Sequence, residues 1–245
     1  MGVKKILISL VAISFVAACG GGGSGGGGLP VSRVEIIYKL INEGMQAGLM
    51  PALQAMLGKM AGPVGGCEFG GSVVSLEGLT GTCSDRGTET SGTWALSGTM
   101  TCKHEPVTGG TLFTVTAMDA ALTLTNCVST PNVDTNGDGI SEATNVILTG
   151  PIDPFAFGVN TTILAIGSGT DITSVTLNGT AGLTFTNFQL GGDVTATATF
   201  VQDLTFDQMV ITAEGEPTCD PNTFSATEGG QSGTCTIAAT CGSCT

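Results

Sequence analysis

The sequence predicts a mainly β fold, an antiparallel threonine-rich sheet (a sandwich or curved half-barrel) with one or two N-terminal helices. Three observations support this prediction. Apolar residues recur at close to helical spacing between residues 32 and 61. No threonine occurs before Thr80, whereas threonine is frequent after it. From about residue 67, apolar and polar residues alternate, which is typical of strands with one buried face and one face in water.

A helical segment is expected over residues 32–62. Ser32, followed by Glu35 three residues later, resembles a capping box, a pattern that starts helices. Proline lacks the N–H that a helix interior needs, and glycine is a poor helix former. We therefore expect the segment to divide into two short helices at Gly44, Gly48 and Pro51.

The β domain is expected over residues 63–245, with a cysteine-rich tail at 217–245. Residues 194–200 alternate clearly, with one threonine between each apolar residue and the next. Threonine suits the wet face because its β-branch fits a pleated sheet. Residues 122–126 (Leu-Thr-Leu-Thr-Asn) and 183–187 (Leu-Thr-Phe-Thr-Asn) echo each other. The echo suggests repeated hairpins, although short threonine-rich strands also resemble one another by chance.

The first 18 residues have the parts of a secretory signal: two lysines, an uncharged apolar run and small residues at its end. The run is too short for a comfortable membrane span, which needs about 20 residues. Its last residues, Val16-Ala17-Ala18-Cys19, resemble the lipobox of bacterial lipoproteins. The resemblance implies cleavage before Cys19 and lipidation of that cysteine with acyl chains such as palmitate. The alternative is an ordinary signal peptide with a chance cysteine at the cut.

Residues 19–31 form the expected lipidated cysteine and its glycine-rich tether. A glycine and serine run behaves as a flexible coil, and this one has an expected reach of roughly 15–20 Å. Gly20 stands where inner-membrane lipoproteins of Gram-negative bacteria tend to have aspartate. The resemblance therefore implies the outer membrane, and the chain is similar to β-rich envelope lipoproteins of unknown role.

The chain is strongly acidic, with 20 Asp and Glu residues against 7 Lys and Arg and a formal net charge of −13. Nucleic-acid binding needs basic patches, so nucleic acid is excluded as an expected partner. An acidic surface attracts cations such as Ca²⁺. The simpler interpretation is that the charge keeps the domain soluble.

The chain has nine cysteines, and eight remain if Cys19 carries lipid. An even number in an exported protein predicts disulfides, although eight cysteines allow 105 pairings. Pairing between neighbours along the chain (67–83, 102–127, 219–235 and 241–244) is the interpretation chosen here. A redox role for the terminal Cys-Gly-Ser-Cys, or zinc binding in the tail, is less favoured. The disulfide candidates are Cys67, Cys83, Cys102, Cys127, Cys219, Cys235, Cys241 and Cys244.

The segment 134–145 resembles the calcium loop of EF-hand and dockerin-like proteins. Such a loop places oxygens at positions 1, 3 and 5, a glycine at 6 and a backbone carbonyl at 7. Asparagine stands at position 12 instead of glutamate, and strands are expected on both flanks. We therefore predict a calcium-binding hairpin loop, the alternative being a polar turn without metal. The candidate ligands are Asp134, Asn136, Asp138, Ile140, Glu142 and Asn145.

The residues indicate no catalytic set, so we expect a protein that is not an enzyme. His104 is the only histidine, and no nucleophile motif accompanies it. A structural or interaction role in the cell envelope, with an envelope protein as partner, is the leading hypothesis. The alternative is a carrier of an apolar ligand, because a Met-rich helix beside a curved sheet could line a cavity. A hydrolase is the least favoured reading.

Overall fold

A computed structural model of the chain describes residues 28–62, 65–85, 88–168, 171–210 and 218–245. The expected signal segment and Cys19 lie outside the described residues. Helix α1 spans Val31–Met60. The strands that follow it are β1 (Ser72–Ser75), β2 (Leu79–Asp85), β3 (Thr88–Val107), β4 (Gly110–Ser129), β5 (Asn132–Val133), β6 (Glu142–Ala143), β7 (Val146–Phe157), β8 (Thr161–Ser168), β9 (Asp171–Gly192), β10 (Ala196–Val210), β11 (Thr218–Cys219), β12 (Thr223–Glu228) and β13 (Gln231–Thr236).

The strands form one large curved antiparallel sheet in the order β1-β3-β4-β7-β9-β10-β12-β13. Three further strands join it: β2 pairs with β3, β8 lies between β4 and β9, and β11 pairs with β10. Strands β5 and β6 form a separate pair. The expected mainly β fold with an antiparallel threonine-rich sheet and an N-terminal helix is confirmed.

Helix α1 lies across the strands and contacts both edges of the sheet. Near its start, the Leu29 N–H donates to the Ser232 carbonyl of β13 (3.1 Å). Its later turns contact β4, β7 and β2. A 30-residue helix is about 45 Å long, enough to span a curved sheet of this width. Its buried side chains, among them Val34, Ile37 and Met56, belong to the same core as the inward residues of the strands.

The predicted division of the helix into two is wrong, because α1 runs unbroken through Gly44, Gly48 and Pro51. The two glycines face the sheet. A Cβ on Gly44 would lie 2.7 Å from Cγ1 of Val146, and one on Gly48 would lie 2.4 Å from Cδ2 of Leu124. The glycines therefore allow close approach of the helix backbone to the strands before Pro51, and the helix continues after it with Ala52, Met56 and Met60 buried in the core.

The predicted capping box is also not formed. Helix α1 begins at Val31, directly after Pro30, and has no side-chain cap. The Pro30 carbonyl accepts from the N–H groups of Arg33 and Val34, which fixes the first turn without Ser32. Glu35 pairs instead with Lys39, one turn later, at 2.8 Å.

All eight predicted cysteines form disulfides, but the predicted pairing of sequence neighbours is wrong. Cys83–Cys127 joins β2 to β4, whereas each of the other three pairs joins a strand to a segment outside the strands. Two disulfides lie toward the β1–β4 side of the sheet, and two toward the β10–β13 side. The four pairs are Cys67–Cys102, Cys83–Cys127, Cys219–Cys241 and Cys235–Cys244.

The sequence echo corresponds to a repeated local structure. Asn126 and Asn187, the last residues of the two copies, both have left-handed backbones, with φ of 52° and 48°. Each stands at a bulge and donates its N–H to a threonine hydroxyl on the neighbouring strand, Thr149 (2.9 Å) and Thr199 (3.1 Å) respectively. The two copies are thus equivalent bulged strand pairs.

Alanine substitution tests the close approach of the helix. Gly58→Ala should raise the free energy of unfolding by about 0.5–1 kcal/mol, because alanine is the better helix former and the space around Gly58 is open. Gly48→Ala has the same helical gain, but its Cβ collides with buried Leu124, so we expect a net loss of about 1 kcal/mol. Urea denaturation measures both. Equal stabilisation by the two variants would show that the helix does not depend on this contact.

Candidate functional site

The candidate calcium loop, residues 134–145, lies in the connection between β4 and β7. Its base is fixed by the β5–β6 pair and by the Thr144 N–H, which donates to the Pro131 carbonyl (2.9 Å). Val133 is buried and belongs to the hydrophobic core. The turn at 134–140 extends from this base, and most of its residues are exposed.

Within the turn, backbone N–H groups converge on the carboxylate of Asp134. Its Oδ1 accepts from the Gly137 N–H (2.7 Å) and its Oδ2 from the Gly139 N–H (2.8 Å). Both glycines have left-handed backbones, with φ of 79° and 84°, which side chains rarely tolerate. The chain therefore wraps around a single anionic side chain.

The next two oxygen-bearing side chains of the turn repeat this arrangement. Asn136 Oδ1 accepts from the Asp138 N–H (3.0 Å), and Asp138 Oδ1 accepts from the Ile140 N–H (2.8 Å). The Asn136 amide also donates to Asp138 Oδ2 at 3.1 Å. A carboxylate oxygen has two lone pairs, so acceptor capacity remains for a hard cation on the same residues.

The hydrogen bonds to Asp134 affect its ionisation. They lower the pKa of this carboxyl, the bond from the Gly139 N–H having the largest effect. The physical cause is stabilisation of the charged form by N–H donors. Asp134 consequently stays ionised to lower pH than an ordinary aspartate, as a cation ligand must.

The remaining predicted ligands are placed differently. The side chain of Ile140 is 64% exposed, and Glu142 lies in β6, opposite Val133. Asn145 is engaged with another turn: its N–H donates to Asp193 Oδ2 (2.7 Å) and its carbonyl accepts from the Asp193 N–H (3.0 Å). In the described part of the chain, no three His, Cys, Asp or Glu side chains group together as potential metal ligands.

His104 lies within β3 and is half-buried. The ring nitrogen Nδ1 of His104 contacts the Cys67 carbonyl, and the backbone N–H of His104 donates to the Glu68 carbonyl at 3.1 Å. The ring stands edge-on to Phe113, with centroids 6.5 Å apart. These contacts tie the segment after the helix to β3.

A shallow groove of about 470 Å³ lies where β1, β3 and β4 meet. It includes Gly70, Val73 and Lys103. Val73 is 66% exposed, and Phe69, next to the lining residues, is 70% exposed. This exposed apolar area lies away from the helix–sheet contact, where the Met-rich helix was expected to border a cavity. At that contact Met45, Met56 and Met60 are buried in the core.

The predicted lipidation site, Cys19, lies outside the described residues, and its support comes from the sequence. Among the helices that the structure describes, none has both the length and the apolar character required to cross a bilayer. Comparisons with protein-family models, with curated proteins and with solved structures return no match for this chain.

The ionisation of Asp134 can be measured directly. We expect the ¹³C carboxyl resonance of Asp134 to titrate below the ordinary aspartate range, because the N–H donors stabilise its charged form. The loop stabilisation that depends on this charge should be lost as pH falls through the lowered pKa, and be complete above the ordinary one. A lower protection factor of the Gly139 amide at low pH, relative to its intrinsic exchange rate, would report that loss. An inflection in the ordinary range would contradict the hydrogen-bonded turn.

Proposed function

We propose that this chain is a lipid-anchored protein of the bacterial cell envelope, with a non-catalytic structural or interaction role. The observation that carries the proposal is the sequence Val16-Ala17-Ala18-Cys19 followed by a glycine-rich run. One acyl chain anchors a protein only marginally, whereas several anchor it stably. A multiply acylated Cys19 would hold the domain at the outer membrane of a Gram-negative cell.

The four disulfides support export. Disulfides persist in oxidising compartments such as the periplasm and the cell surface, and are rare in the cytosol. Here they join cysteines between 9 and 44 residues apart, so they cross-link separate parts of the sheet. An exported domain without chaperone-rich surroundings gains most from such links.

The structure also bears on the orientation that we propose for the anchored domain. The described chain enters at β13, beside Ser232. The β12–β13 turn, the β9–β10 turn and the candidate calcium loop lie at the same end of the sheet, as the strand registers require. That end would face the membrane, within the tether's reach of roughly 15–20 Å. Phe69 and Val73 lie toward the other end, where an envelope partner could contact them.

Calcium is the proposed cofactor, in a stabilising role. Support comes from the order of oxygen-bearing residues in the turn at 134–140 and from the ionised state of Asp134. Asn145, at position 12, has its backbone bonded to Asp193, which fixes the end of the loop. A bound ion would fix the exposed turn onto the buried base at Val133 and Thr144.

Lipid anchoring is tested by substituting the cysteine. The wild-type chain, expressed in a Gram-negative host with a labelled fatty acid, should carry the label and sediment with membranes. Cys19→Ser should abolish the labelling and move the protein to the soluble fraction. Gly20→Ser is the matched control and should keep both properties. Label on Cys19→Ser, or none on wild type, would rule the anchor out.

Calcium binding is tested by calorimetry and thermal melting. With calcium in hundredfold excess over Kd, we expect stabilisation of about 2.7 kcal/mol relative to the protein in chelator. Asp134→Asn and Asp138→Asn should remove the calcium-dependent shift, because each loses an anionic oxygen ligand. Asp119→Asn, an exposed carboxylate on β4, should retain it. No heat of binding and equal melting midpoints in wild type would reject calcium.

A further inference from the structure

The last nine residues fold back against the edge of the sheet and the helix. Thr236 and Thr245 exchange backbone hydrogen bonds of 2.8 and 2.9 Å, and Ile237 pairs with Cys244. Ile237 is almost fully buried. We call residues 237–245 the terminal segment.

The Cys241 carbonyl, in the terminal segment, accepts two hydrogen bonds from the first half of α1. The Tyr38 hydroxyl donates to this oxygen at 2.5 Å, and the Asn42 side-chain amide at 3.4 Å. Tyr38 is only 1% exposed. A buried hydroxyl without an acceptor is costly, so the carbonyl of Cys241 matters to the position of this part of the helix.

Two cross-links determine where that carbonyl lies. Cys241 has a left-handed backbone, with φ of 59°, which a residue with a side chain rarely adopts. Its backbone N–H donates to the Ala238 carbonyl (2.9 Å), while its sulfur is bonded to Cys219, the last residue of β11. Cys235–Cys244 holds the end of the segment. The segment has few apolar side chains of its own, so its shape depends on these bonds.

An aromatic cluster lies beneath the helix at this point. The Tyr38 ring stands edge-on to Phe224, with centroids 5.2 Å apart, and lies 6.3 Å from Phe200. Phe200 is stacked on Phe185 at 4.0 Å. Lifting the first half of the helix would expose these rings to solvent.

We propose that the terminal segment is a redox-sensitive strap, which holds the first half of α1 on the sheet only while Cys219–Cys241 is oxidised. A dithiol reductant supplies two electrons and two protons: its thiolate attacks one sulfur, the Cys219–Cys241 bond breaks, and the reductant leaves as a disulfide with both cysteines as thiols. Cys241 is then free to leave its left-handed conformation, and Tyr38 and Asn42 lose their acceptor. The first half of the helix detaches and exposes the aromatic cluster.

The second half of α1 has separate attachments, so release is local. Gly48 packs against Leu124 and the sulfur of Cys127, which is bonded to Cys83. The helix end connects to the Cys67–Cys102 link through the Cys67 N–H, which donates to the Met60 carbonyl at 2.9 Å. None of these contacts involves the terminal segment.

Hydrogen exchange with peptide-level mass spectrometry, on the full chain, tests the strap. The double variant Cys219→Ser, Cys241→Ser should speed exchange of residues 31–44 by about tenfold, with residues 49–60 unchanged. The matched control, Cys83→Ser with Cys127→Ser, also removes one disulfide but should leave residues 31–44 protected. Uniform acceleration along the helix in the first variant, or none, would overturn the proposal.

A second variant, Tyr38→Phe, leaves every disulfide in place and tests the strap even if the serine variant fails to fold. Tyr38→Phe keeps the ring and removes the donor to Cys241, so exchange of residues 31–44 should again rise, and unchanged exchange would overturn the proposal.

Tyr38 is the only tyrosine of the chain. Burial raises its pKa, and phenolate absorbance should show that pKa falling toward the ordinary value of about 10 when the strap is opened. A pKa that stays raised in the folded serine variant would also overturn it.

Discussion

The packing of helix α1 across one face of the sheet is the constraint on which the rest of the structure depends. An antiparallel sheet with one apolar face must cover that face, and here α1 covers it across the width of the sheet. Gly44 and Gly48 make the contact possible, because any side chain there would overlap Val146 or Leu124. The long threonine-rich strands can then leave their other face in water.

Backbone hydrogen bonds and disulfides complement this packing at the two edges of the sheet. A sheet that does not close leaves two edges, and unpaired edges invite contact with other chains. At one edge, Leu29 and Thr245 cover β13 with backbone hydrogen bonds. At the other, Cys67–Cys102 ties the end of the helix to β3. Helix, edges and disulfides thus form one connected system, so a change at a terminus is transmitted to the helix.

Sequence patterns predicted the features whose determinants are local. Alternation along residues 194–200 reports directly which face of a strand is buried, so the mainly β fold could be predicted. The role of Gly48 could not, because its partner Leu124 is distant in the chain and glycine alone is read as a helix breaker. Disulfide pairing failed for the same reason: Cys83 meets Cys127 only because β2 and β4 both flank β3.

The candidate sites also divide into parts with local determinants, which the sequence indicates, and parts that depend on residues distant in the chain. The turn around Asp134 was recognisable because its hydrogen bonds all lie within six residues. The backbone contact of Asn145 with Asp193, which comes 48 residues later, had no such local signal. The contact of Tyr38 with Cys241 spans 203 residues and has no sequence signal at all. A terminal Cys-x-x-Cys invites a redox interpretation of the two cysteines as a pair. In the folded chain Cys241 is bonded to Cys219, and Cys244 is bonded to Cys235. Reduction would therefore act by releasing the backbone that these two disulfides hold in place.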